Sequence, residues 1–492
     1  MDDEIELKLL VKPEAGDQLY ESFIKNQQPD YTRNSSQLYN SYFDTPDKRL
    51  QSLGMACRVR GKDGKFEQTI KTRGESTGGL AQRPEYNVAI EGNKPNLMLF
   101  EAIQWPEDVS VRALQDDLHC LFDTHFERDV YLLNIDDDTE IECVFDSGMI
   151  ETTKHQDPIC EIELELKKGQ ASALLKTAKA ILQFVPFRLG TQSKAQRGYR
   201  LVDGVRMERK RISEAIHPQT QGNVETVLMT ALQEALSFWQ HCEQFYLEEA
   251  KPRELQSIAN VQGFIHKVTT LFGDYLSCPE LKKVSQKAQS LRQSWMWAER
   301  VDAIRELHSS KGAFRKKLSN NDGLRKQLRV QLRDLLEQEK PEECFFNKEY
   351  TSLQLDVLEL LLLKPWRKHG QAYLNDITDC ASQWVVNTVK QIQTLIGSQK
   401  YATAQQAMTS YTLLKDMDYL ALFLDESLLQ RTHSCDVNWR NMLDGVVDLL
   451  TLQVFEESLS TMNLEDKASL TKWCTRKQRD TLELMGEVQH LL

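Results

Sequence analysis

The chain has 492 residues, with 73 acidic and 61 basic side chains and a formal net charge of −12. That length is too great for one typical core and calls for two or three domains, while 40% hydrophobic and 27% charged residues are ordinary for a globular protein. Its ten cysteines include no CxxC pair and no Cys/His grouping along the chain, which points away from a zinc site or a disulfide framework and toward reduced thiols in a cytoplasm.

Met1 is followed by acidic residues rather than by a basic and then apolar leader, so no signal peptide is expected. The most apolar run, 357–363, is interrupted by Glu359 and is too short to span a bilayer, which leaves a membrane partner unexpected. Residues 1–203 carry 35 acidic against 25 basic groups, a net of −10, whereas 204–492 carry 38 against 36, a net of −2. An acidic first half argues against nucleic acid as its partner, because phosphate-backbone binding needs a basic face.

In chain order, Glu4, Glu6 and Lys8 alternate with Ile5, Leu7 and Leu9, the period of a strand with one polar and one apolar face. Residues 13–27 predict a short helix. Gln37 to Asp44 predicts a strand that ends in the turn Asp44-Thr45-Pro46. Two alternating runs, 55–61 and 65–72, meet at Asp63-Gly64, a hairpin signal. Further strands are predicted at 85–90, 125–134, 140–146 and 159–166, and a helix at 170–185. About eight strands with hairpin-like spacing suit a small closed barrel. Residues 204–221 read as a linker. From 222 onward apolar residues recur every three or four positions, as in Val227, Leu228, Ala231, Leu232, Ala235 and Leu236, which predicts an all-α bundle. The expected fold is therefore multidomain α+β, an eight-stranded antiparallel barrel at 1–203 followed by a helical domain at 222–492.

The charged positions of the strands form the candidate site. Arg58 and Arg60 share one face of a run, as Glu4 and Glu6 do, and Glu161, Glu163 and Glu165 repeat the pattern. If the apolar faces filled the barrel, these charges would lie in water and mean little. If the apolar faces packed outward, the charges would line a lumen. Such a lumen is costly when empty, because crowded ions lose hydration. Guanidinium and ammonium groups suit a chain of phosphates, and paired carboxylates suit Mg²⁺ or Mn²⁺. Acids and bases together point to a polyanion bound with a divalent metal.

Seven blocks resemble a known family in its own order. They are Glu4-x-Glu6-x-Lys8, Tyr42-Phe43-Asp44-Thr45-Pro46, Arg58-Val59-Arg60, Thr69-Ile70-Lys71, Gln82 to Tyr86, Glu161-Ile162-Glu163-Leu164-Glu165 and Ser193 to Tyr199. Over residues 1–203 the chain resembles the CYTH superfamily, the triphosphate tunnel metalloenzymes, and the helical half resembles the CHAD domain found behind bacterial CYTH domains. The resemblance implies an eight-stranded tunnel that binds triphosphate with divalent metal. By motif position, Glu4, Glu6, Asp146, Glu161 and Glu163 would hold Mg²⁺ or Mn²⁺. Lys8, Arg58, Arg60, Lys71, Arg83, Arg128, Lys194 and Arg197 would hold phosphate, and Lys8, Lys71 and Tyr42 would serve catalysis. In this view cations and metal around Lys71 would disfavour its charged form and could make it a base paired with Tyr42, and the alternative is that Tyr42 packs and Lys71 only binds phosphate. The resemblance further implies an inorganic triphosphatase that splits tripolyphosphate into pyrophosphate and phosphate. A class IV-type adenylyl cyclase, a nucleoside or thiamine triphosphatase, and a polyphosphate-binding protein acting through the helical half remain open alternatives. His241 and His266 fall where that half would contribute.

Overall fold

The computed structural model describes residues 2–27, 30–62, 64–219, 221–318, 321–397, 403–425, 429 and 439–489, so Met1 and the Asp63 of the predicted turn lie outside the described residues. Two compact units result. The first comprises residues 1–207 and 345–362, and the second residues 208–344 and 363–492.

The first unit is built on strands β1 (Asp2–Val11), β2 (Tyr31–Asp44), β3 (Ala56–Lys62), β4 (Lys65–Lys71), β5 (Glu75–Thr77), β6 (Leu80–Ile90), β7 (His119–Asp136), β8 (Thr139–Glu151), β9 (Gln156–Lys168) and β10 (Phe187–Leu189). They are ordered β10-β1-β9-β8-β7-β2-β3-β4-β6-β5, and an added β1–β6 pairing closes eight of them into an antiparallel barrel. Closure leaves no long open edge. The β3–β4 hairpin closes with Lys62 opposite Lys65 and Gly64 at φ +76°, in the left-handed region that glycine adopts without strain.

The strands run longer than their apolar alternation. The polar stretch 31–36 extends β2 well before Gln37, held by pairing to β7 from Tyr31↔Leu133 onward. Local pattern does not see such a ladder, because its hydrogen bonds are non-local. The predicted helix at 13–27 forms over 15–27, with a π-helical middle at Leu19–Ile24.

The outward faces are the apolar ones. Leu7, Leu9, Ile162 and Leu164 are fully buried, as are Leu174, Leu175, Ala178 and Ile181 of the helix Ser172–Ile181 that lies against β1 and β9. A second outer core gathers Phe43, Cys57, Val59 and Ile70 with Leu97, Phe100 and Leu114. The helix Lys194–Asp203 plugs one end of the barrel, where Tyr199 joins Leu38, Tyr42, Phe122, Phe126, Ile150 and Ile159. A capping box fixes its start. Gln196 N donates to Ser193 Oγ at 3.2 Å and Ser193 N donates to Gln196 Oε1 at 2.9 Å. At Gly198 the helix approaches so closely that a Cβ would run into the Phe122 ring.

A segment from far along the chain completes this unit. In the helix Lys348–Leu363, Thr351 Oγ1 donates to the Phe187 carbonyl at 2.6 Å. Asp356 and Glu359 hold Lys179 at 2.7 and 2.6 Å. The described remainder of the second unit is helical, with Val224–Glu249, Arg253–Tyr275 and Trp439–Thr461 among its longest helices. Asn223 caps the first of these by accepting from Thr226 N at 2.8 Å. Among the described residues no helix is long and apolar enough to cross a membrane.

Candidate active site in the barrel lumen

Because the apolar faces pack outward, the alternate positions turn inward and line a cavity of about 780 Å³. Lys8, Arg58, Arg60, Lys71, Arg83, Arg128 and Lys194 border it, together with Glu4, Glu6, Glu163 and Tyr42. Two charged layers can be told apart.

The floor, beside the plug helix, holds three carboxylates and three cations. Asp146, Glu161 and Glu163 each place an oxygen within 4.8 Å of the others. Asp146 and Glu161 are fully buried. Arg128 donates to Asp146 at 2.7 and 2.6 Å and to Glu163 at 2.9 Å. Lys194 lies 2.7 Å from Asp146 and 3.1 Å from Glu163, and it also pairs with Glu161. Lys8 pairs with Glu161 at 2.9 Å and with Glu163. Burial pushes the Asp146 and Glu163 carboxyls up, but Lys194, with Arg128 at both and Lys8 at Glu163, outweighs it and holds both below their ordinary range. One acceptor is left over, since Glu161 Oε2 is buried without a hydrogen bond and has only a 3.6 Å ion pair to Arg197.

The upper layer is assembled by strand register. Glu4 stands opposite Arg83 across β1–β6, and Glu6 opposite Glu165 across β1–β9. Glu165 in turn faces Glu142 across β8–β9, and Lys167 bridges the two at 2.6 and 3.7 Å. Lys71 pairs with Glu4 and lies 3.2 Å from Glu85. Burial, and the nearby Glu6 and Glu85, push the Glu4 carboxyl up to about 7 despite Lys71.

Most of the predicted residues thus converge on one lumen, with Asp146 and Glu161 fully buried behind its lining, but they do not form one metal cluster. Glu4 and Glu6 stand in the upper layer, apart from the floor group of Asp146, Glu161 and Glu163. Arg197 turns to the end of β9, where it donates to Asp157 at 2.8 Å and to the Pro158 carbonyl. Tyr42 lines the lumen, but its ring stacks on Phe122 with centroids 4.6 Å apart. Around Lys71 the structure differs from the expectation of crowded cations. Burial and the nearby Arg58 would lower its ammonium, yet Glu4, Glu6 and Glu85 push it up. Reading the sequence missed Glu142 and Lys167 as lining residues. For Glu142 the parity with Asp146 was a usable signal, hidden by the apolar Val144 between them.

Arg60 differs from Lys8, Arg58, Lys71, Arg128 and Lys194, each of which pairs with a carboxylate. Among the described residues it has no carboxylate partner, and its Nε donates to Asn40 Oδ1 at 2.8 Å, with Asn40 in turn donating to Thr124 at 2.9 Å. The Arg58 charge, burial and Arg128 all push its guanidinium down. A cation crowded by cations is the side chain most relieved by an incoming polyanion.

The CYTH domain family model matches residues 2–199. This part of the chain is a CYTH domain. An inorganic triphosphatase of Haemophilus influenzae is 34% identical over 202 residues, 40% of this chain and 54% of that protein, so the chain spans about half the length of that curated relative. Among solved structures, a putative adenylyl cyclase from Hippeastrum, described as having dominant triphosphatase activity, aligns at 18% identity and TM-score 0.30, over 42% of this chain and 97% of that one. A CHAD domain from Ricinus communis aligns at 13% identity and TM-score 0.41, over 58% and 98%.

Outside the CYTH domain, His266 Nδ1 lies 2.8 Å from Ser285 Oγ and 3.0 Å from its carbonyl, a hydrogen-bonded histidine within the helical unit. His241 is stacked near Phe245 at 6.3 Å, and burial and Lys210 push its imidazole down.

Proposed function

We propose that this chain is a divalent-metal-dependent inorganic triphosphatase that hydrolyses tripolyphosphate to pyrophosphate and phosphate inside the barrel. The observation that carries the reading is Arg60, a lumen guanidinium with no carboxylate partner among the described residues, set beside Arg58 and Arg128. The named activity of the Haemophilus relative supports the same substrate class.

The donor set fits Mg²⁺ or Mn²⁺, because every candidate ligand is a hard carboxylate oxygen. The spare Glu161 Oε2 and the crowded Glu4 carboxyl are both groups that a cation would satisfy. Asp146, Glu161 and Glu163 would hold metal at the floor, and Glu4 and Glu6 in the upper layer. Bound there, the metal would supply charge neutralisation for the phosphate oxygens. Arg58, Arg60, Lys71, Arg83 and Arg128 bind and align the triphosphate, and Lys8 and Lys194 hold the floor carboxylates until substrate and metal compete for them. Phosphoryl transfer asks mainly for positioning and charge stabilisation, which this lining offers, with water attacking the terminal phosphorus and pyrophosphate leaving, and with no protein nucleophile needed. Lys71 serves as a phosphate ligand and Tyr42 as wall.

The test is phosphate release from tripolyphosphate, ATP and thiamine triphosphate at equal concentration, across a Mg²⁺ and Mn²⁺ titration. Metal-dependent release with tripolyphosphate as the best substrate is expected. Faster turnover of ATP or thiamine triphosphate would overturn the substrate assignment, and release independent of metal would overturn the cofactor.

A further inference from the structure

The helical unit brings together three side chains of a second kind of donor set. Cys278, Glu280 and His369 each place one ligand atom within 4.8 Å of the other two. Cys278 Sγ lies 3.3 Å from Glu280 Oε2, and His369 Nε2 lies 3.3 Å from the same oxygen. We propose that Cys278, Glu280 and His369 form a Zn²⁺-class metal site with one position left for solvent.

Ligand atoms about 2.0–2.3 Å from a tetrahedral ion stand roughly 3.3–3.8 Å apart, so two edges of the tetrahedron are already set. Thiolate, imidazole and carboxylate together suit a borderline-soft ion and not Mg²⁺ or Ca²⁺. Binding expels the thiol proton to solvent, and the Sγ–metal bond replaces the S–H bond with no change of oxidation state.

Both sides are pre-formed. Cys278 is buried and precedes the helix Pro279–Ser294, and its N–H donates to the Gly273 carbonyl at 3.0 Å. Ser277 just before it is held at φ +51°, which turns the chain sharply into that helix. His369 follows the short turn Pro365–Lys368. That turn is fastened by Glu225, which accepts from the buried Trp366 Nε1 at 2.7 Å and from Arg367 at 2.8 and 2.6 Å. Supporting contacts of this kind fix the ligands of metal sites. Glu280 and His369 are 89 residues apart and partly exposed, so an ion has an entry path and would cross-link two distant segments of the unit.

Titration of the full chain with Co²⁺ tests this, because a thiolate-to-cobalt charge-transfer band reports a bound cysteine and carboxylates in the barrel give none. A saturable band with the intensity of one thiolate–Co²⁺ bond per chain, bleached by Zn²⁺, is expected in the wild type and in Cys120→Ser. The band should vanish in Cys278→Ser, and His369→Ala should weaken cobalt binding at least about tenfold. His369 lies at the surface, so that variant keeps the test valid even if Cys278→Ser folds poorly. No band in the wild type, or an undiminished band in His369→Ala, would overturn the site.

Discussion

Tyr199 donates to Asp44 Oδ2 at 2.8 Å, tying the plug helix to the end of β2. The Asp44 carboxylate is fully buried and also accepts from the N–H groups of Thr45, Leu50 and Gln51 at 2.8, 2.8 and 2.9 Å. Removing the phenol leaves a buried charge short of a donor, which costs roughly 1.5–3 kcal/mol. Tyr199→Phe should therefore lower the denaturation midpoint. Through looser placement of Lys194 it should also raise KM for tripolyphosphate more than it lowers kcat. Unchanged kinetics with lowered stability would show that the clasp holds the fold but not the floor.

Arg60 offers an opposite signature. Arg58, burial and Arg128 disfavour its charge in the free protein. Arg60→Ala should therefore leave thermal stability unchanged or raise it, while cutting kcat/KM for tripolyphosphate by roughly tenfold or more, as expected for a lost charge-assisted phosphate contact. Differential scanning fluorimetry beside steady-state phosphate release measures both. A large fall in melting temperature would mean that Arg60 is structural.

Glu4 carries a pH prediction. Its carboxyl sits at about 7 in the folded protein against an ordinary 4.5, so the folded state disfavours the charged form. Above the ordinary value the unfolded chain is already ionised while folded Glu4 still holds its proton. Folding stability therefore falls as pH rises from 4.5 and levels off above about 7. The full effect approaches about 3 kcal/mol. Without metal, Glu4→Gln should be more stable than wild type at pH about 8, and that advantage should fade near pH 4.5. Adding Mg²⁺ should restore the wild type and not the variant. Urea titrations at the two pH values decide it.

The helix Lys348–Leu363 makes a prediction about dissection. Thr351→Val leaves the Phe187 carbonyl without its side-chain donor, at a cost of about 1–2 kcal/mol. A fragment ending at residue 207 loses the whole helix, including the clamp on Lys179. That fragment should unfold at lower denaturant than the barrel in the full chain, followed by tryptophan-independent far-ultraviolet signal of the strands. Equal stability would show that the helix is only appended.

The sequence by itself determined that the first 203 residues alternate charge with apolar residues and that the remainder repeats at helical spacing. Alternation fixes two faces of every strand, and the ordered motifs named the family of the barrel. It does not fix which face turns inward. That choice belongs to the layer outside, where Leu174, Leu175 and Ile181 cover Leu7, Leu9 and Leu164, because burying apolar area there drives the charged faces into the lumen. Register was equally beyond local pattern. Only the pairing of Glu6 with Glu165, and of Glu165 with Glu142, separates the upper acids from the floor group at Asp146. Cys278 and His369 make the same point in the helical unit, since no spacing along the chain groups them. Helix and strand periods are local properties of the sequence, whereas a site made of side chains from distant segments exists only once long-range packing has chosen their neighbours.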